Sequence, residues 1–240
     1  QGAPPRDGAP PAAPAGAYRR RALSAPALWA AFGTASLAAL AYGFFFSFRG
    51  EGAGRAVLKV SGVAILALIA MLSGATWLLW AALAASAVGD AFLAGRPERW
   101  LLPGMAAFFF AHAFYLVLFW QLWEGVSWSW PVGAGQAALV LAGAAYIRWL
   151  TPSLGKMRIP VLAYGAVILM MGAAAIALPA AYGLVKLGAL MFIASDAVLA
   201  HQLFCRPVEA SPRKPPSYAV WFLYFFGQAA ITFGLLPRSL

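Results

Sequence analysis

AASAVGDAFLAGRPERWLLPGMAAFFFAHAFY, residues 84–115, contains two apolar segments joined by the short basic turn GRPER. The segment before the turn carries an acid, Asp90, and the segment after it carries a histidine, His112. Further apolar residues extend each segment on its outer side, so that each approaches the roughly 20 apolar residues that a helix needs to cross the ~30 Å hydrocarbon core of a bilayer. This stretch therefore predicts two successive transmembrane helices with ionisable groups inside the membrane.

The composition extends this pattern to the whole chain. Of the 240 residues, 63% are hydrophobic and 10% are charged. The hydrophobic residues form apolar runs that are longer and more numerous than those of a soluble protein's core. We predict an all-α polytopic membrane bundle in which residues 23–240 form a single domain of about eight transmembrane helices. Residues 1–22 are rich in Pro, Ala and Gly, and we expect them to form a disordered tail. The predicted helices are Ala25–Phe46, Val57–Ser73, Thr76–Ala94, Leu101–Trp123, Val132–Leu150, Ile159–Leu178, Ala181–Phe204 and Tyr218–Leu236.

The net charge of +10 would suggest a nucleic-acid partner in a soluble chain. Here the basic residues lie between apolar runs, where they set topology and attract anionic lipids, so we expect membrane lipids and no nucleic acid as partners. Alternate loops hold or adjoin the basic residues Arg49, Arg55, Arg96, Arg99, Arg148, Lys156, Arg158, Arg206, Arg213 and Lys214. The positive-inside rule places these loops in the cytoplasm, in the inner membrane if the host is bacterial, whereas Arg19–Arg21 and Arg238 favour the opposite orientation.

Two of the seven acidic residues, Asp90 and Asp196, lie within apolar segments. A carboxylate at membrane depth costs at least ~2.5 kcal/mol on insertion scales, so such a group normally has a function, a partner or a bound proton. The alternative is a hydrogen-bonded pair with a structural role. The single Cys205 excludes an intramolecular disulfide.

Polar residues from six helices, Asp90 and Asp196 among them, form one layer between the basic-loop side and the mid-depth of the membrane. They are Lys59, Asp90, His112, Tyr115, Tyr164, Asp196, Tyr224 and Gln228. Pairs spaced i, i+3 or i, i+4 share a helix face, as Tyr224 and Gln228 do. Polar groups facing lipid would have no partner, so we predict that these faces meet in one cavity that opens toward the cytoplasmic side. The simpler alternatives are that the tyrosines and Gln228 hold helices together and that Lys59 anchors helix 2 at the interface.

Several motifs give the chain a resemblance to the YhhN-type lysoplasmalogenase family. They are Ser86-Ala87-Val88-Gly89-Asp90, Pro103–Phe108, Ala111-His112 with Tyr115, Pro160 with Tyr164, Gly188–Leu190 with Phe192 and Ser195-Asp196, and Tyr224 with Gln228. The resemblance extends from about Lys59 to the C-terminus. It departs at Lys59-Val60, where the family usually has Lys-Pro, and the long tail has no counterpart.

The resemblance implies an ether hydrolase that cleaves the vinyl ether bond of a lysoplasmalogen, releasing a fatty aldehyde and a glycerophospho-ethanolamine or glycerophospho-choline. Such a bond breaks when its β-carbon is protonated, and two neighbouring carboxyl groups can supply one protonated and one ionised group. The implied catalytic residues are Asp90, Asp196 and His112, and the sequence does not distinguish which aspartate is the acid. The implied substrate-binding residues are Lys59, Tyr115, Tyr164, Ser195, Tyr224 and Gln228, with Lys59 near the substrate phosphate. We expect no metal, no cofactor and a lysophospholipid substrate whose chain lies in an apolar channel.

Three other functions remain open at this point. A zinc-dependent hydrolase would need about three ligands, for which Asp90, His112 and Asp196 are the candidates. A proton-coupled transporter of a small or lipid-like solute would use the buried acids as a proton relay, although we see neither an inverted repeat nor paired helix interruptions. A lipid-binding scaffold without catalysis would leave the buried acids unexplained.

Overall fold

A computed structural model of the chain describes residues 23–48, 52–123, 125, 129–205 and 214–237. The predicted tail, residues 1–22, lies outside the described residues. Within this part of the chain, eight long helices follow one another, as the sequence predicts. They are α1 (Ala25–Ala41), α2 (Ala53–Leu72), α3 (Trp77–Leu93), α4 (Pro97–Leu122), α5 (Trp130–Leu150), α6 (Arg158–Ala177), α7 (Gly183–Phe204) and α8 (Lys214–Leu235).

Several helices begin earlier than their apolar segments predict. The observed first residues of α2, α4, α5 and α8 are Ala53, Pro97, Trp130 and Lys214, and the predicted ones are Val57, Leu101, Val132 and Tyr218. Proline is well tolerated in the first turn of a helix, where the missing N–H has no intrahelical partner. The first turns of α4 and α5 contain such a proline. Polar and proline-containing residues that hydropathy assigns to loops therefore form the first turns of these helices.

The helices have the length and composition of membrane spans. Seven of those in the described residues are long and apolar enough to cross a bilayer, and α3 is apolar but has 17 residues. At 1.5 Å per residue α3 is about 26 Å long, which is at the lower limit for a span. The chain is thus an integral multi-pass membrane protein with one short helix.

The packing of the helices brings the last helix of the chain against the early ones. Neighbours in sequence pack together from α1 to α4, α7 packs along α8, and α8 also contacts α2 and α3. Helix α6 packs against α4, α5 and α7. Helix α5 is at the periphery, because Leu150 at its end is the one buried residue of the helix.

Glycines bring two helix pairs close together around the acids. A Cβ atom on Gly188 of α7 would lie 2.5 Å from the carbonyl oxygen of Gly227 on α8. A Cβ atom on Gly89 of α3 would lie 2.6 Å from ring atoms of Phe108 on α4. Small residues of this kind allow helices to approach closely in a membrane. Asp90, next to Gly89, is buried where these helices pack.

Helix α1 continues as a π-helical turn, Tyr42–Phe46, in which the amide of Ser47 donates to the carbonyl of Tyr42. This i→i−5 hydrogen bond accommodates one more residue per turn than an α-helix does. Such turns are found preferentially at functional sites. The turn is packed against α8, since a Cβ atom on Gly43 would lie 2.5 Å from the Phe222 ring.

Candidate functional site

The first acid, Asp90, is held by residues from two other helices. Its Oδ1 atom lies 3.4 Å from the ammonium nitrogen of Lys59 on α2, and its Oδ2 atom accepts a 2.7 Å hydrogen bond from the hydroxyl of Tyr224 on α8. The side chain of Asp90 is 2% exposed and that of Lys59 is 11% exposed. We call Lys59, Asp90 and Tyr224 the Asp90 cluster. It is a buried ion pair with an additional hydroxyl donor.

The second acid, Asp196, has different partners. Its Oδ2 atom accepts a hydrogen bond from the Tyr164 hydroxyl on α6 and lies 3.2 Å from Nε2 of His112 on α4. The same Nε2 atom is 3.0 Å from the Tyr164 hydroxyl oxygen, so the three groups touch one another. We call His112, Tyr164 and Asp196 the Asp196 cluster. A hydroxyl, an imidazole and a carboxyl in mutual contact form an arrangement through which protons can be transferred.

The two clusters face the same cavity of about 330 Å³. Five of their six side chains line it: Lys59, Asp90, Tyr164, Asp196 and Tyr224. His112 does not line the cavity and is fully buried behind Asp196 and Tyr164. The side chain of Asp196 is 16% exposed, which makes it the more accessible acid. The predicted convergence of polar faces on one cavity is thus present for these residues.

The acids do not pair with each other. Each carboxyl has its own partners, and within the described residues no hydrogen bond joins Asp90 to Asp196. The described side chains also include no group of three His, Cys, Asp or Glu residues that could hold a metal ion. The candidate zinc ligands Asp90, His112 and Asp196 are therefore not assembled into a site.

The remaining predicted site residues have other positions. Tyr115 and Gln228 are fully buried and hydrogen-bonded to each other, and the Gln228 amide donates to Ser86 Oγ at 2.8 Å. Neither residue lines the cavity. Ser195 does line it, and its hydroxyl donates to the carbonyl of Val220 at 2.8 Å. Tyr115 and Gln228 thus support the site from behind, whereas Ser195 lies at its surface.

One cavity residue, Arg55, is absent from the predicted set. Its guanidinium donates to the carbonyls of Ala94 at 2.9 Å and Phe46 at 3.3 Å, and it lies 5.7 Å from the centre of the Tyr42 ring. Among the described residues, no carboxylate forms a salt bridge with it. The sequence signal that could have found it is its spacing, because Arg55 precedes Lys59 by one helical turn and shares its face. Hydropathy assigns Arg55 to a loop and hides this relation.

The comparisons with known proteins identify the family. Residues 54–235 match the YhhN family. Over 165 residues the chain is 34% identical to lysoplasmalogenase TMEM86B of Homo sapiens, an alignment that covers 68% of this chain and 65% of the human protein. Over 134 residues it is 37% identical to lysoplasmalogenase TMEM86B of Rattus norvegicus, covering 54% of this chain and 51% of the rat protein.

The chain thus spans just under two thirds of the human protein's length and about half of the rat protein's. No solved structure matches it. The family match includes every residue of the Asp90 and Asp196 clusters. With more than half of its length matched, the chain belongs to the YhhN family.

Proposed function

We propose that this protein is a membrane-embedded hydrolase that cleaves the vinyl ether bond of lysoplasmalogens. The products are a fatty aldehyde and a glycerophospho-ethanolamine or glycerophospho-choline. Two mammalian relatives carry the name lysoplasmalogenase. The observation that carries the proposal is that two acids with unlike partners line one cavity at membrane depth.

The reaction requires an acid, an anion and water. A proton added to the β-carbon of the vinyl ether gives an oxocarbenium ion, in which the α-carbon and the ether oxygen share the positive charge. Water attacks the cationic carbon and loses a proton, giving a hemiacetal, whose C–O bond to the glycerol then breaks as that oxygen is protonated. The catalytic proton is returned, so the sum is one vinyl ether plus one water giving one aldehyde and one alcohol.

Their different partners suggest different roles for the acids. The ammonium of Lys59 pairs with Asp90, and an ammonium is the natural partner of an ionised carboxylate. We therefore assign Asp90 to stabilising the oxocarbenium ion and orienting the water. Asp196 lacks a lysine partner among the described residues and is more exposed to the cavity. We assign it as the general acid that protonates the β-carbon.

The other cluster members would hold these groups in position. Tyr164 and His112 contact the Asp196 oxygen and can return a proton to it after each turnover. The Nδ1 atom of His112 is buried without a partner among the described side chains, which is consistent with a position for a water molecule. Tyr224 fixes the carboxyl group of Asp90 through its 2.7 Å hydrogen bond.

Arg55 is the better candidate than Lys59 for binding the substrate phosphate. The depth of Lys59 favours it for this role, but its ammonium already faces a carboxylate at 3.4 Å. The Arg55 guanidinium lines the same cavity and is held by two carbonyl oxygens, and no carboxylate among the described residues forms a salt bridge with it. A guanidinium also binds phosphate with directional hydrogen bonds.

The test is aldehyde release from lysoplasmenyl-ethanolamine by the purified protein in detergent. We expect Asp196→Asn to lower kcat by at least ~10³-fold and Asp90→Asn by at least ~10²-fold, since acid catalysis and charge stabilisation are each worth about that much. Glu124→Gln, a carboxyl-to-amide change outside the apolar segments, is the matched control. Circular dichroism establishes that each variant is folded.

The solvent deuterium isotope effect separates the two roles. Proton transfer to carbon remains in the Asp90→Asn variant, so a normal isotope effect on kcat should persist there. Robust turnover by folded Asp196→Asn protein would refute its assignment as the acid. A parent protein that releases no aldehyde from either the ethanolamine or the choline lipid would refute the proposed function.

A further inference from the structure

We infer that the hydrocarbon chain of the substrate lies in a second, apolar groove between α5, α6 and α7, which it enters sideways from the surrounding leaflet. This inference rests on the proposed function, because the groove would hold the part of the lipid that the catalytic cavity does not. The occupant is a single unbranched hydrocarbon chain.

The lining of the groove suits a hydrocarbon chain. The groove has a volume of about 300 Å³ and is lined by side chains that include Leu139, Ile168, Leu169 and Ile193. The hydroxyl of Tyr146, which also lines it, donates to the carbonyl of Ala197 at 2.6 Å. Its hydrogen-bonding capacity as a donor is therefore used within the protein, and the Tyr146 ring presents apolar surface.

The groove adjoins the catalytic cavity. Val161, Tyr164, Asp196 and Ala200 line both spaces. A vinyl ether joins the polar and apolar parts of a lysoplasmalogen, so it must sit where a polar and an apolar site meet. That junction is at Tyr164 and Asp196, which are the groups assigned to the proton transfer.

The direction of the groove matches the orientation of a lipid in its leaflet. On α5 the lining extends from Leu150, next to the basic loop, to Leu139, which is 11 residues or about 16 Å deeper. On α6 it continues past Tyr164 to Leu169, toward the bilayer centre. The cationic residues of the cavity lie at the opposite, interfacial end, near the start of α2. A substrate can thus bind with its headgroup at the surface and its chain pointing inward.

The position of α5 bears on how the lipid chain enters the groove and on how many chains the groove can hold. Helix α5 packs on α6 at the edge of the bundle, so the groove beside it is close to the lipid. The two helices are close together, since a Cβ atom on Gly165 would lie 2.7 Å from Ile147 and one on Gly143 would lie 2.5 Å from Leu169. A volume of about 300 Å³ is at the lower end of the ~300–1,000 Å³ typical of ligand pockets. We infer that the groove accepts one chain and not two, which selects lyso lipids.

The experiment uses a non-hydrolysable probe, a saturated 1-O-alkyl lysophosphatidylethanolamine with a diazirine near the end of its chain. After photolysis in lipid nanodiscs, mass spectrometry locates the labelled residues. We expect labelling at the deep end of the groove, at Leu139, Leu169 or Ile193. Ala142→Phe, which adds a ring to the groove lining, should reduce this labelling at least fivefold. Ala144→Phe, an exposed position of α5 outside the lining, should leave it unchanged.

A second measurement compares substrates. Ala142→Phe should lower kcat/KM at least tenfold for a long-chain lysoplasmenyl lipid and by less than twofold for a propenyl ether analogue whose chain is too short to reach Ala142. Labelling outside the groove, or labelling that Ala142→Phe does not reduce, would overturn the inference. Groove labelling by a parent protein that hydrolyses neither substrate would support the groove and refute the proposed hydrolase, so the two failures are distinguishable.

Discussion

The ion pair of the Asp90 cluster makes a quantitative prediction about stability. Lys59→Met keeps the length of the side chain and removes its charge, leaving Asp90 without a cationic partner. At the observed Nζ–Oδ1 distance of 3.4 Å, the attraction is ~5 kcal/mol at an effective dielectric constant of ~20. With the two side chains 11% and 2% exposed, little water can replace the ammonium. Breaking a buried pair in this way typically costs ~3–5 kcal/mol, and we expect a loss of that size in the free energy of unfolding.

The partner variant provides the control. Asp90→Asn in the Lys59→Met background removes the second charge and retains an acceptor for the Tyr224 hydroxyl, so we expect the double variant to recover at least ~2 kcal/mol relative to Lys59→Met alone. The assay is SDS-induced unfolding in mixed micelles, followed by tryptophan fluorescence. A loss below ~1 kcal/mol in the single variant, or a double variant no more stable than Lys59→Met, would contradict the assignment of a buried ion pair.

Three further predictions concern the residues around the cavity. Tyr164→Phe removes the hydroxyl that donates to the acid of α7, so kcat should fall at least ~10²-fold with KM nearly constant, as steady-state kinetics on folded protein would show. Tyr115→Phe leaves the buried Gln228 oxygen without its donor, so thermal unfolding should reveal a stability loss of ~1–3 kcal/mol while kcat changes less than threefold. Gly188→Ala places a Cβ atom 2.5 Å from a carbonyl oxygen of α8 and should cost ~1–3 kcal/mol, whereas Gly33→Ala, which meets nothing within 4 Å, should be neutral or stabilising. Equal effects of the two glycine variants would contradict the close packing of α7 on α8.

The sequence predicts the bundle and the residues of the site because both depend on periodic and local rules. Apolar segment length determines the number of helices, and alternating helix direction places polar residues at a depth. These two facts are enough to put Lys59, Asp90 and Tyr224 in one layer, where the structure has them in one cluster. The predicted helix starts are less accurate, because proline and charged residues in a first turn lower the local hydropathy without ending the helix.

The pairing within the layer could not be predicted, because it depends on how each helix is rotated and which neighbour it meets. The resemblance places Lys59 near the substrate phosphate, and in the structure the Lys59 ammonium forms an ion pair with Asp90, a contact that the sequence does not indicate. Hydropathy counts Arg55 among the loop residues, although it is in α2 and lines the cavity. The apolar groove has no sequence signal of its own, since the glycines and leucines that shape it resemble those of any membrane helix.

The π-helical turn at the end of α1 sets the rotational phase of the residues after it. Each residue of an α-helix advances the chain by about 100°, and the wider π-helical turn fits one extra residue into about the same rotation. If residues 42–46 formed regular α-helix instead, the next side chains would be rotated by about 100°, the angle of one residue. Ser47, which lines the cavity and comes directly after this turn, would then face away from it. Deleting one residue of this segment and restoring regular α-helix would leave the later side chains close to their present orientation, so it is the π-helical turn itself that aligns Ser47 with the cavity.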